Sequence, residues 1–451
     1  MDICWDLGVE GLRPFDIILR ERSAWSTLVH RLDARPFLHS EGLSTELGVP
    51  HRLEGGLLAE ARAIVERFDA LYRGLIRRYY AAAASLAEEY LVNPLFGEVL
   101  DAEREVETPL PLSRFDCVLD PQGRLRVIEL NPVGVCTLHI QTATYLARAM
   151  RGGPFASDAG RVRELSDAMV DAVARQRAQV LGSAAGAPRL GFLGPANMYR
   201  ASRVMAGDAF KARGFDHVDG QPDRLEIDRT GARLNGRGID TLWADFLFYL
   251  GYQYARYTQT RFASKVGDYT AAPAATERLV RSPPFLDALR GRRLCQVSPS
   301  PAYLALSKHL LSFVHRDDAP IGAADRAWLA EHVARTYGLR ERQGGTITLE
   351  QARRSRGDLV LKPCQYGGAH GVVVGADTDE LAWTAHLTRT WDDAGWVLQD
   401  FHVPRRTPDG QWLSFGLYNY GGQFGGMTCR YASSLIVSAR RSTFVPISST
   451  A

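Results

Sequence analysis

The stretch SRFDCVLDPQGRLRVIELNPVG, residues 113 to 134, reads as two strands, FDCVLD and LRVIEL, joined by a DPQGR turn. Asp, Pro and Gly are the residues that reverse a chain tightly between two apolar runs. Successive side chains of a strand point to opposite faces, so Arg114 and Asp116 share one face. Glu129 and Asn131 share a face of the partner strand for the same reason. Their neighbours Phe115, Cys117, Ile128 and Leu130 demand burial on the opposite side. If the two strands pair, two carboxylates, an amide oxygen and a guanidinium meet on one patch. Magnesium suits such a patch, because it takes oxygen ligands and usually binds one or two carboxylates plus substrate phosphates. A solvated polar face of an antiparallel hairpin is the plainer alternative.

The rest of the chain is organised around this hairpin. Upstream, residues 55 to 92 are rich in helix formers with apolar residues three and four apart, and the first 112 residues are expected to be mainly helical. Downstream, helix is expected from 137 to about 181, before a GSAAGAP linker at 182 to 188. The strand RLGFLG, the helix SRVMAGDAFKARGF, the hairpin-like LEIDRTGARLNG and the apolar DTLWADFLFYL then fit a Rossmann-like layer over residues 188 to 284. From 285 to 451 the expected order is helix, strand and helix in FLDALRGRRLCQVSPSPAYLALSKHLLSFV, then strands DLVLKP and VVVGAD. The helix DELAWTAHLTRTW and the strands WVLQDFHV, WLSFGLYNY and GGQFGGMTCRYAS complete it. The fold class is mixed α/β.

Composition removes several classes of function. A net charge of +3 without a dense basic run gives no footprint for nucleic acid. Six scattered cysteines, with no CxxC pair, read as reduced thiols of a cytosolic protein rather than a zinc site or a disulfide framework. The start MDICWDLGVEGLRPFD carries acidic residues where a signal peptide is basic, and no apolar run reaches membrane-spanning length. A soluble cytoplasmic protein acting on small molecules is expected.

The second chemical signal is LVLKPCQYGGAHGVVVG, residues 359 to 375. It holds Lys362, one of four lysines in a chain with 54 basic residues. An ammonium makes a compact point contact with phosphate, where a guanidinium brings a planar fork. The glycines that follow, Gly367, Gly368 and Gly371, let backbone amides approach phosphate oxygens. This is not a Walker loop, since the lysine precedes the glycines and strands flank them, nor a dinucleotide fingerprint, since no helix follows. A surface lysine before a hairpin is the plainer reading. Gln399 and Asp400, at the end of the WVLQDFHV strand, are placed to read an adenine edge. Lys308 stands at the start of a helix in SPSPAYLALSKHLLSFV.

Taken together these motifs resemble the circularly permuted branch of the ATP-grasp carboxylate–amine ligases, which includes the synthetase domain of glutathionylspermidine synthase. RFD and ELN are similar to the family's RxD and ExN magnesium strands; SPSPAYLALSK and LVLKP match the segments of its two nucleotide lysines. WVLQDFHV matches its adenine hinge, and GGQFGGMTCRYASS its late arginine strand. The metal strands precede both lysines, the mark of the permuted order. The resemblance implies ATP and Mg2+, with Asp116, Glu129 and Asn131 as metal ligands and Arg114 and Arg430 as catalytic residues. Lys308, Lys362, Tyr366, Gly367, Gly368, Gly371, Gln399, Asp400 and Val403 would bind the nucleotide. Residues 113 to 181 would belong to the ATP-grasp core, 188 to 284 to the preceding Rossmann-like domain, and 285 to 451 to the nucleotide lobes. His370 departs from the lysine or arginine common in the family's loop. An amino acid or short peptide would be the acyl donor and an amine the acceptor, with ADP released. An ATP-grasp phosphotransferase and a non-catalytic ATP-binding partner remain alternatives. Arg200, Arg203, Arg256 and Arg261 are candidate carboxylate clamps, and His139 a candidate near the acyl centre.

Overall fold

The computed structural model of the chain describes residues 3–33, 44–81, 95–132, 146–159, 165–182, 186–193, 200–244, 277–339, 347–364, 369, 371–391, 393, 395–437 and 441–449. Its opening segment holds three short strands, β1 (Leu12–Pro14), β2 (Ser44–Leu47) and β3 (His51–Leu53), besides the helices Arg22–Asp33 and Gly55–Ala81. Helix predominates among the described residues of that segment, and the three short strands are an addition to it. β1 pairs with β3, and β2 and β3 pair with a strand near residue 445, so none of the three has a partner close by in sequence.

The metal-hairpin stretch forms β4 (Ser113–Leu119) and β5 (Leu125–Asn131). Next come β6 (Arg189–Leu193), the helix Arg200–Ala212 and β7 (Asp216–Gly220), then the meander β8 (Leu225–Asp228), β9 (Gly231–Leu234) and β10 (Arg237–Ile239). β11 (Thr241–Ala244) and β12 (Cys295–Gln296) join β6 and β7 in a parallel sheet of order β12-β11-β6-β7. A helix between parallel neighbours is the connection such strands require. A small antiparallel sheet follows, β13 (Thr336–Gly338), β14 (Leu359–Pro363), β15 (Val373–Val374) and β16 (Trp396–Asp400), in the order β13-β16-β14-β15. The VVVGAD strand is therefore only two residues long, and the WVLQDFHV strand stops at Asp400.

β17 (Trp412–Asn419), β18 (Phe424–Ala432) and β19 (Arg441–Ser449) return the chain to the first sheet, whose order is β1-β3-β19-β18-β17-β4-β5, with β2 also on β19. The helix Gly55–Ala81 covers one face of it. Phe68 from that helix packs on Phe115 with ring centroids 5.2 Å apart, and both are fully buried. Because strand side chains alternate, Arg114 and Asp116 project from the opposite face. The polar face of the hairpin is thus turned toward the small sheet, to which β5 is tied by a 2.9 Å bond from the Ala334 amide to the Val127 carbonyl.

No described helix is long and apolar enough to cross a membrane.

Candidate active site

β4 and β5 pair with Arg114 opposite Asn131 and Asp116 opposite Glu129. The register shifts between Asp116 and Cys117, so that Ile128 is the extra residue of a β-bulge. Ile128 is consequently only half-buried, not buried as strict alternation predicts. Its carbonyl is released from the ladder and used elsewhere.

Arg114 donates to both oxygens of Asp116, Nε to Oδ1 at 2.5 Å and Nη2 to Oδ2 at 2.9 Å. Arg430 on β18 stands behind, 3.8 Å from Asp116 Oδ2. β17 lies between these strands, and Gly416, paired with Asp116 on one side and Thr428 on the other, leaves the space. A Cβ at Gly416 would sit 2.8 Å from Arg114 Cδ and 2.9 Å from Thr428 Oγ1. Burial pushes the Asp116 carboxyl up, but the Arg114 charge, its hydrogen bonds and Arg430 together hold it below the usual range.

Both predicted lysines reach the same hairpin. Lys308 is the N-cap of the helix His309–Val314, and its backbone N–H donates to the Cys364 carbonyl just past β14. Its Nζ lies 2.8 Å from Glu129 Oε1. Lys362, on β14, donates from Nζ to Gln399 Oε1 at 2.6 Å and to the Ile128 carbonyl at 3.3 Å. Gln399 passes the chain of bonds on, Nε2 donating to Thr336 Oγ1 on β13. Burial lowers the Lys362 ammonium to about 8, with the Lys308 charge helping and Glu129 and Asp116 opposing. A long charged side chain with 7% exposure is uncommon and needs such partners.

The other candidates spread along the seam. Asp400 accepts from the Tyr337 hydroxyl at 3.0 Å, and burial raises its carboxyl. Val403 is 49% exposed just beyond β16, a large apolar side chain left open next to these groups. Gly371 has φ +74, and a Cβ there would also press on Pro363 at the end of β14. Tyr366, Gly367, Gly368 and His370 lie outside the described residues, as do His139, Arg256 and Arg261. Arg200 and Arg203 lie on the helix Arg200–Ala212.

Three participants escaped sequence reading: Gly416, Thr336 and the Ile128 carbonyl. A glycine inside WLSFGLYNY is a signal of close approach that could have been used; the other two carry none. Asp120, in the turn, is no bystander. It is 2% exposed, accepts the Gln122 and Arg124 amides, and accepts from Arg126 Nε at 3.1 Å.

Two carboxylates and one amide on adjacent strands fit a hard divalent cation that completes its shell with phosphate oxygens. Among the described residues no three His, Cys, Asp or Glu side chains gather to hold a metal unaided.

No family model matches the chain, and no curated protein matches it in sequence. Among solved structures it is similar to a glutathione synthetase-like effector from Globodera pallida in its apo form. The TM-score is 0.54 at 11% identity, over 94% of this chain and 97% of that one. A protein provisionally described as a gamma-glutamylcysteine synthetase from Methylobacillus flagellatus KT is matched at TM-score 0.38 and 13% identity, over 82% and 84% of the two chains. The chain shares the overall fold of the glutathione synthetase-like effector along nearly its whole length.

Proposed function

We propose that the chain is an ATP-dependent ligase of the circularly permuted ATP-grasp kind, joining the carboxylate of an amino acid or short peptide to an amine. The observation that carries this reading is the convergence of Arg114, Asp116, Glu129, Lys308, Lys362 and Arg430, from four separate segments, on one buried seam. The fold shared with a glutathione synthetase-like protein supports it.

A carboxylate is a poor electrophile. In the proposed reaction its oxygen attacks the γ-phosphorus of ATP, and ADP leaves. The amine nitrogen then attacks the acyl carbon of the mixed anhydride, phosphate departs, and the nitrogen gives up its proton. Phosphoryl transfer asks mainly for positioning and for neutralisation of spreading negative charge. Arg114 and Arg430 supply that charge at the transferring group. Lys308 and Lys362 hold the remaining phosphates. Gln399, Asp400 and Val403 face the base. Asp116, Glu129 and Asn131 hold magnesium, which when bound supplies further neutralisation of phosphate charge.

The test is ADP release with amino acids, short peptides and amines, singly and in pairs, with hydroxylamine added to trap the acyl phosphate as a hydroxamate. Turnover that needs both an acyl donor and an amine is expected. AMP and pyrophosphate as products, or full turnover with one acceptor alone, would overturn the ligase reading.

A further inference from the structure

We infer that the protein binds the triphosphate before its divalent metal, because its own cations pair with both metal carboxylates. This rests on the nucleotide site proposed above. Asp116 is gripped on both oxygens by Arg114, with Arg430 behind it, and Glu129 is held by Lys308. Both oxygens of Asp116 and one oxygen of Glu129 are thus paired with the protein's own cations.

The balance of charge points the same way. Arg114, Arg430, Lys308 and Lys362 face two carboxylates, Asp116 and Glu129, and the exposure of those six side chains is low. A site with excess positive charge repels a free divalent cation and attracts a polyanion, and burial weakens the screening of both effects. A phosphate oxygen arriving at Lys308 takes the place of the Glu129 carboxylate. Glu129 is then released for the metal, whose remaining ligands are the phosphates just bound. Lys308 therefore acts as an exchange point, paired with Glu129 until a phosphate takes its place.

Two variants separate this order from ordinary joint binding of a metal–nucleotide complex. Glu129→Gln removes the competitor for Lys308, so ATP affinity in EDTA is expected to rise roughly tenfold while the gain from added magnesium is lost. Lys308→Met removes a cation that the triphosphate meets, so ATP affinity in EDTA falls roughly tenfold. Residues that merely support the fold would not move ATP affinity in opposite directions.

Calorimetric titration of the wild-type chain with magnesium chloride alone, ATP in EDTA, sodium tripolyphosphate in EDTA, and ATP with magnesium reads the order directly. Saturable binding of ATP and tripolyphosphate without metal, with no heat of binding from magnesium alone at millimolar concentration, is expected. Magnesium binding alone, or ATP binding only when magnesium is present, overturns the order and leaves the nucleotide site standing. Absence of triphosphate binding in every arm removes the nucleotide site itself and this inference with it.

Discussion

Lys362→Met replaces the buried ammonium by an apolar chain of similar length, and its consequence is a change in how stability depends on pH. In the folded protein Lys362 titrates at about 8, against an ordinary 10.5, with burial as the main cause. A shift of that size disfavours the charged form by about 3 kcal/mol. The sign follows from proton counting. Below pH 8 both folded and unfolded chains carry the proton, and the full penalty applies. Between about 8 and 10.5 the unfolded chain holds a proton that the folded one has released, so stability rises with pH. The wild type should therefore gain roughly 2 to 3 kcal/mol relative to Lys362→Met between pH 7 and pH 10. At pH 7 itself the two should differ less, because the variant relieves the buried charge but leaves Gln399 Oε1 and the Ile128 carbonyl without their donor. Urea denaturation across this pH range, followed by tryptophan fluorescence, measures the difference. Parallel curves for the two proteins would refute the reasoning, since they would mean that Lys362 stays charged in the folded chain at no cost.

Gly416→Ala sets a methyl group about 0.7 Å too close to Arg114 Cδ, and should cost about 1–3 kcal/mol of stability. By turning Arg114 off Asp116 it should also lower turnover about tenfold or more; unchanged melting and rate would show that the cleft is slack. Asp120→Asn removes the charge that faces Arg126 in the turn and should destabilise the chain by about 1–3 kcal/mol, while triphosphate affinity measured by calorimetry stays within about twofold. Burial raises the Glu103 carboxyl to about 7, where its oxygen accepts the Ser300 amide, so the folded chain holds an extra proton between the ordinary carboxyl range and pH 7. Stability on that account falls as pH rises through this window, and Glu103→Gln should flatten the fall; a wild-type profile in the variant would count against it.

The parts of the site that depend on local pairing were readable. Alternation in FDCVLD and LRVIEL, with a turn of Asp, Pro and Gly between them, puts Asp116 and Glu129 on faces that meet if the strands pair, and the observed pairing sets them opposite each other. Lys362 and Lys308 drew notice because lysine is scarce in an arginine-rich chain, and both reach that hairpin. What alternation could not carry was the bulge at Ile128, since an extra residue leaves no trace in a period of two. Nor could it carry β2 and β3, whose partner β19 is nearly four hundred positions away: Thr443 donates to Glu46 across 397 residues. Three-residue strands have too few side chains to show a pattern of their own.

The position of β19 bears on how the chain comes to be folded at all. It lies antiparallel to β18 on one side and parallel to β2 and β3 on the other, so residues 441–449 stitch the earliest strands to the sheet that carries Arg114 and Asp116. During synthesis β2 and β3 wait for a partner that emerges last, and their open backbone edges stay available to other chains meanwhile. Pairing at such separation makes folding slow, because a very long loop must close before any contact rewards it. The helix Gly55–Ala81 faces the same delay, since β17 and β18, on which it lies, are made some three hundred and fifty residues later: Asn419 donates to its Asp69 across 350 positions. The nine residues of β19 therefore act as a clasp, and a chain interrupted before them would lose its first fifty residues from the sheet as well as its last strand.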